Sequence, residues 1–132
     1  MALEMIDHAQ AEYPKEACGI LGGRADGAPE KLYRLRNVDP DPVMRYNADP
    51  LELKHVYDDI YDKDWEVVTI YHSHTHSPAF PSPTDVERAF HPEASYVLVS
   101  LQDRAHPDLR AFRIIEGKIS EMQVERTKDG KR

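Results

Sequence analysis

Cysteine is almost absent from this chain of 132 residues, and the single Cys18 excludes an internal disulfide and a zinc site built from several thiolates. Long apolar runs are also missing, because no stretch approaches the roughly 18 apolar residues that a membrane-spanning helix needs. Residues 1–7 carry two acidic side chains and are too short of apolar length for a secretory signal. We therefore expect a cytoplasmic protein without a membrane partner.

Positive charge is scarce as well, with 17 Lys and Arg residues against 24 Asp and Glu and a formal net charge of −7. A nucleic-acid partner would require clustered basic side chains, and we expect none. The only basic cluster lies at the end of the chain, where we predict a flexible tail over 127–132. Hydrophobic residues make up 40% of the chain and charged residues 31%, so residues 1–126 are predicted to form one globular domain.

The apolar pattern predicts helices and strands in the order α-β-β-α-β-α-β-β-β. Helices are expected over 3–13, 49–64 and 82–90, and strands over 17–23, 31–37, 67–72, 95–101, 109–115 and 119–124. Glu116-Gly117-Lys118 is predicted to form a hairpin turn, whereas residues 39–48 show no core pattern and are expected to form an irregular loop. This order is typical of an α/β or α+β fold with one mixed sheet flanked by helices.

Three histidines, His72, His74 and His76, fall within five residues at the end of a predicted strand. Side chains at positions i and i+2 of a strand share one face, so His72 and His74 can bind one ion. Two imidazoles and a carboxylate leave an open position for water on Zn²⁺, as catalytic zinc sites require. His76 would share this face only if the strand continued, and Ser77-Pro78 argues against that, so Ser73 and His76 are candidates for supporting or substrate-side positions.

Two interpretations of Asp85 are open. Ser82-Pro83-Thr84-Asp85 has the pattern of a capping box with Pro at the first helical position, which would give Asp85 a purely structural role. A carboxylate in the first turn is also kept ionised by the helix dipole, and one of its oxygens could face a metal. Ser82 would then lie beside the same ion, where its hydroxyl could donate to an oxyanion.

Other chemistries fit this pattern less well. A barrel-type amidohydrolase requires about 250 residues, and metallo-β-lactamase-type sites carry acidic residues directly after the histidine pair, where this chain has Thr75, His76 and Ser77. A Cys–His protease would require an exposed thiolate. Cys18 lies in an apolar run and is expected to be buried.

The spacing His72-x-His74-x7-Ser82-x2-Asp85 resembles the signature of the JAMM (MPN+) zinc metalloproteases. That family pairs the signature with an upstream glutamate in a P-x-E-x-C-G-like context, and this chain has Pro14-Lys15-Glu16-Ala17-Cys18-Gly19. The resemblance extends over nearly the whole chain. It implies a JAMM/MPN-like fold with a cytidine-deaminase-like layout, in which a mixed sheet is flanked by helices.

The resemblance also implies a role for each matching residue. His72, His74 and Asp85 would bind one Zn²⁺ per chain, with a water as the fourth ligand. Glu16 would act as general base and then as proton donor to the leaving amine, and Ser82 would help to hold the oxyanion. The chemistry is consistent, because zinc lowers the pKa of a bound water to about 7. Without the resemblance, Glu16 would be taken for a solvated residue between a helix and a strand.

The chain is most similar to short bacterial and archaeal members of the family. This implies a ubiquitin-like sulfur-carrier protein as partner and substrate, cleaved after its C-terminal Gly-Gly to release cysteine or a short extension, as in cysteine biosynthesis. Two alternatives remain: a hydrolase of small peptides or amides, and a catalytically silent MPN scaffold. A scaffold would be expected to lack one or more of Glu16, His72, His74 and Asp85, all of which are present. A homodimer is also left open.

Overall fold

The computed structural model describes residues 1–25 and 28–124. Within these residues the helices and strands follow in the predicted order: α1 (Ala2–Glu12), β1 (Cys18–Gly23), β2 (Pro29–Leu35), α2 (Pro50–Asp62), β3 (Glu66–His74), α3 (Pro83–Glu87), β4 (Ser95–Ser100), β5 (Asp108–Ile115) and β6 (Lys118–Met122). The tail predicted at 127–132 lies outside the described residues. No helix in the described ranges is long and apolar enough to cross a membrane.

The six strands form one sheet in the order β2-β1-β3-β4-β5-β6. β3 and β4 pair in parallel, and every other neighbouring pair is antiparallel. A parallel pair cannot be joined by a tight hairpin, so the chain must cross over between β3 and β4. The segment that makes this crossover carries the histidine-rich loop and α3. The predicted mixed sheet with flanking helices is therefore confirmed.

The two longer helices cover opposite faces of the sheet. Side chains alternate between these faces along each strand, so each face has its own core. On one face α1 packs against a core formed by Ala2, Met5, Ala9, Leu21, Tyr71, Val97, Val99, Leu101, Leu109 and Ala111. On the other face α2 packs against a core formed by Cys18, Ile20, Tyr33, Leu35, Val56 and Ile60. His72 and His74 alternate with Tyr71 along β3, so they lie on the α2 face.

A close contact between β1 and β3 fixes the centre of the sheet. Gly19 pairs with Tyr71, and a Cβ at Gly19 would collide with the Tyr71 ring, so only glycine fits this position. The Tyr71 hydroxyl lies 2.7 Å from Nδ1 of His8 on α1, and both residues are buried. Tyr71 is thus anchored under α1, which holds His72 and His74, the two histidines that follow it in β3, toward the opposite face.

Several predicted boundaries were wrong, among them both ends of β2, which covers 29–35 instead of 31–37. β3 runs two residues beyond 72, to His74, because β4 pairs with it up to His74, whereas β1 pairs with it only as far as His72. α3 ends at Glu87 instead of residue 90; Phe90 is exposed, so burial of its side chain does not extend the helix. Lys118 belongs to β6, so the hairpin turn consists of Glu116 and Gly117, both at positive φ as in a two-residue type I′ turn.

Candidate metal centre

The end of β3 brings two imidazoles together on one buried face. His72 and His74 are 3% and 5% exposed, and their Nε2 atoms lie 3.2 Å apart. His72 pairs with Cys18 on one side and with Leu98 on the other, so its backbone cannot move away from the sheet. The i, i+2 spacing predicted from the sequence therefore produces a fixed pair of ring nitrogens.

Asp85 combines the two roles that the sequence left open. Ser82 is the N-cap of α3: its Oγ accepts a hydrogen bond from the backbone N–H of Asp85 (3.1 Å), and the backbone N–H of Ser82 donates to Oδ2 of Asp85 (2.9 Å). The same carboxylate lies against both imidazoles, with Oδ1 at 3.1 Å from Nε2 of His72 and Oδ2 at 3.0 Å from Nε2 of His74. The capping box thus aims the carboxylate at the histidine pair.

The three side chains fit a tetrahedral metal ion. Their donor atoms are separated by 3.0 to 3.2 Å, close to the edge of about 3.3 Å that zinc–ligand bonds of about 2.0 Å produce in a tetrahedron. Nδ1 of His74 lies 2.9 Å from the carbonyl oxygen of Pro78. Because a carbonyl only accepts, Nδ1 carries a proton, which leaves Nε2 as the atom of His74 that can bind a metal.

The local electrostatics favour a cation among these groups. Burial lowers the pKa of His72, so this imidazole is neutral. Burial opposes ionisation of Asp85, but hydrogen bonds from the two imidazoles hold its pKa well below the usual range. Burial also disfavours a charge on His74, yet the hydrogen bond and negative charge of Asp85 raise its pKa. A metal ion bound at these atoms would displace any proton that His74 and Asp85 share.

Glu16 reaches the same site from the segment between α1 and β1. It is 5% exposed and lines a cavity of about 250 Å³ together with His74, Ser82 and Asp85. Burial, reinforced by the negative charge of Asp85 and opposed by His74, raises the pKa of Glu16 to about 8. A carboxyl that titrates near neutrality can both accept and return a proton, as a general base and acid must do.

Several backbone contacts hold Glu16 in place. Its N–H donates to the carbonyl of Pro42 (2.7 Å), and its carbonyl accepts from the Asn37 amide (3.0 Å). Ser73, the residue between the two histidines, binds the neighbouring Ala17: its Oγ accepts from the Ala17 N–H (2.7 Å) and its own N–H donates to the Ala17 carbonyl (3.0 Å). Ser73 thus supports the glutamate side of the site.

The metal-free protein is expected to become less stable between pH 4.5 and pH 8 because of Glu16. Its pKa is about 8 in the folded chain against 4.5 without the protein around it, so folding favours the protonated form. The stability this provides is complete below pH 4.5 and is lost as the pH rises through 8. We expect a loss on the order of 2–4 kcal/mol, which Glu16→Gln should abolish.

Urea unfolding of chelator-treated protein at pH 5 and pH 8 measures this effect. The variant should match the wild type at the lower pH and exceed it at the higher one. If the free energies of unfolding of the wild type and of Glu16→Gln changed in parallel with pH, Glu16 would not be the titrating group.

His76 and Cys18 lie apart from the histidine–aspartate cluster. His76 is exposed, and its Nδ1 contacts Oγ1 of Thr75 at 2.8 Å. Cys18 is buried as predicted, and burial raises its pKa to about 12, so it remains a thiol. A buried thiol is a poor nucleophile, which argues against a Cys–His protease.

Sequence reasoning missed the contribution of the loop at 39–48. The ring of Tyr46 stacks on His72 with centroids 4.5 Å apart, and the carbonyl of Val43 accepts from Oγ1 of Thr75 (3.1 Å). Asn37 closes the loop by donating to the carbonyls of Pro42 and Arg45. Most of these contacts use backbone carbonyls, which every residue type offers, so no sequence signal could have revealed them.

Comparison with known proteins assigns this chain to a family. The family described as prokaryotic homologs of the JAB domain (Prok-JAB) matches residues 1–115. The chain belongs to this family. This membership confirms the resemblance seen in the sequence, and with named peptidases among the relatives it makes this JAB protein a hydrolase.

Curated relatives cover most of this JAB protein. The CysO-cysteine peptidase of Mycobacterium tuberculosis is 40% identical over 121 residues, which are 91% of this chain and 82% of the relative. The desampylase of Haloferax volcanii is 34% identical over 97 residues, covering 73% of this chain and 70% of the relative. A probable TtuB-protein conjugate cleaving protease of Thermus thermophilus is 39% identical over 82 residues, covering 62% of this chain and 54% of the relative.

Solved structures share the fold. A solution structure of a Desulfitobacterium hafniense protein matches with a TM-score of 0.78 and 36% identity, covering 92% of this chain and 84% of the other. A crystal structure of a JAB1/MPN domain protein from Archaeoglobus fulgidus matches with a TM-score of 0.58 and 17% identity, covering 94% and 91% of the two chains. At that identity the second match shows the fold alone.

Proposed function

We propose that this protein is a zinc-dependent peptidase that hydrolyses the bond after the C-terminal Gly-Gly of a ubiquitin-like sulfur-carrier protein, releasing cysteine or a short extension. The observation that carries the proposal is the convergence of His72, His74 and Asp85 within 3.2 Å of one another, with Glu16 buried in the same cavity. A silent scaffold has no need to keep these four groups together in one cavity.

The candidate site residues have two roles, metal binding and proton transfer. His72, His74 and Asp85 would hold the Zn²⁺ ion, which when bound polarises a carbonyl and acidifies a water. Glu16 takes the proton from the attacking water and returns it to the nitrogen of the leaving amine as the C–N bond breaks. Its pKa of about 8, which burial raises in the protein without a metal, suits a group that must carry that proton between two steps.

Ser82 supplies the remaining polar group. Its Oγ already accepts the N–H of Asp85, so the hydroxyl proton is directed elsewhere and is available to the cavity that Ser82 lines. We propose that it donates to the oxygen on which negative charge develops when water adds to the carbonyl. The cap of α3 would in this way also orient a catalytic donor.

The carrier substrate is supported by the relatives and by the form of the site. Their names describe peptidase action on CysO-cysteine and cleavage of TtuB-protein conjugates. The candidate centre lies in a cavity of about 250 Å³, which accommodates a thin chain end more readily than a folded surface. A tail of glycines has no side chains to hinder its approach.

Intact-mass spectrometry tests the proposal directly. Zinc-loaded protein is incubated with a ubiquitin-fold carrier that ends in Gly-Gly followed by one cysteine, and separately with a free peptide of the same last residues. We expect loss of the cysteine from the carrier, abolished by a chelator, restored by Zn²⁺ and unaffected by thiol alkylation of the enzyme. Cleavage of the peptide alone would favour a small-peptide hydrolase, and a zinc-loaded protein that cleaves neither would favour a scaffold.

A further inference from the structure

Two guanidinium groups share the cavity with the candidate catalytic residues. Arg45 and Arg88 both line it, but their surroundings differ. Nε of Arg45 lies 3.4 Å from the buried carboxylate of Asp39, which neutralises its charge. Arg88 donates through Nη1 to the backbone carbonyl of Tyr46 (3.1 Å), and no carboxylate of residues 1–25 or 28–124 forms an ion pair with it. Arg88 therefore presents an uncompensated positive charge to the cavity.

The position of Arg88 is fixed relative to the candidate metal ligands. It follows α3 directly and lies three residues after Asp85, so both side chains lie on neighbouring turns of one helix face. Its bond to Tyr46 connects it to the loop whose aromatic ring stacks on His72. Of the five guanidinium N–H groups, one is used by Tyr46, which leaves a planar edge for a ligand.

The charges in the cavity define which ligand this edge suits. The acidic side chains that line the cavity are Glu16 and Asp85, and both repel an anion when ionised. An anionic group on a substrate would need a cation facing it to enter such a cavity. A guanidinium matches a carboxylate in a bidentate arrangement, which gives it both strength and geometric selectivity.

We infer that Arg88 binds the free α-carboxylate of the residue released from the carrier, so that this protein removes a single C-terminal residue in preference to an amide-linked partner. The inference rests on the proposed function and identifies its leaving group. In the reaction water adds OH to the carbonyl carbon of the last glycine, the C–N bond breaks, and the nitrogen takes a proton. The released amino acid then leaves with its carboxylate on Arg88.

Two versions of one substrate isolate this interaction. The carrier is extended by a single residue that ends either in a free carboxylate or in a carboxamide, and kcat/KM is measured for each by intact mass. We expect the zinc-loaded wild type to prefer the acid by about 10- to 100-fold, the range for a charge-assisted hydrogen bond. In Arg88→Gln this ratio should fall to about 1, and Arg88→Lys should retain part of it.

Arg113→Gln is the matched control. Arg113 also donates through Nη1 to backbone carbonyls, those of Pro92 and Glu93, but lies outside the cavity, so its loss should leave the acid-to-amide ratio unchanged. Equal wild-type rates for acid and amide, or an Arg88→Gln variant that keeps the wild-type ratio, would overturn the inference and leave the proposed function standing. A zinc-loaded wild type that cleaves neither substrate would instead reject the proposed function and the inference with it.

Discussion

Glu16→Gln protein is expected to bind zinc as the wild type does and to lose about 10²- to 10⁴-fold in kcat, the usual contribution of a general base. The amide side chain has the shape of the carboxyl but cannot take a proton from water. Glu16 lies in the cavity without contributing to the cluster of ligand atoms, so its replacement leaves His72, His74 and Asp85 unchanged. Zinc content by atomic absorption and turnover by intact mass separate the two effects.

Glu87→Gln provides the matched control for this substitution. Glu87 is the last residue of α3 and is exposed, so the same chemical change there should leave turnover within a factor of about 2. Wild-type turnover in Glu16→Gln would falsify the assignment of the base. Loss of zinc together with turnover would show instead that the glutamate contributes to metal binding.

Asp85→Ala is expected to lose both zinc and activity. The Asp85 carboxylate lies 3.0 to 3.1 Å from two imidazole nitrogens and would supply one of the three protein ligands. Loss of a residue that only hydrogen-bonds to a metal ligand already lowers metal affinity by about 10- to 100-fold, so we expect a loss of at least about 100-fold here. The loss of the cap would add about 0.5–2 kcal/mol of destabilisation. Zinc titration of the metal-free variant, with unfolding in urea alongside, measures the two consequences separately.

Asp49→Ala separates capping from metal binding. Asp49 is the N-cap of α2 and accepts from the N–H groups of Leu51 (2.9 Å) and Glu52 (3.1 Å), but it lies outside the candidate metal centre. It should lose a similar amount of stability and bind zinc normally. If Asp85→Ala behaved like Asp49→Ala and kept its zinc, Asp85 would be a cap and nothing more.

Local geometry explains which parts of the site could be predicted. The pairing of His72 with His74 depends only on the two-residue period of a strand, and the apolar run before them identified that strand. The capping box at Ser82 and Asp85 depends only on the first turn of a helix. Both rules concern only residues that are close in sequence. They left the role of Asp85 open, because a helix cap and a metal ligand can have the same local sequence pattern.

The burial of Glu16 could not be predicted from local sequence patterns. Nothing around it in the sequence indicates burial, and only the family resemblance selected it. The antiparallel pairing of Cys18 with His72 carries the segment before β1 to the end of β3, and the pairing of Ser73 with Ala17 completes the approach. Burial then raises the pKa of Glu16, so its chemical character is a product of that long-range pairing.

The sequence by itself determined the order of the elements, the shared face of His72 and His74, and the cap at α3, because each follows from the period or the end of a single element. Only the tertiary structure decided that Asp85 meets both imidazoles, that Glu16 is buried beside them, and that Tyr46 and Arg88 lie at the site. These contacts join segments that are distant in sequence, through the parallel pairing of β3 with β4 and through backbone carbonyls. Neither produces a periodic pattern of residue types in the sequence.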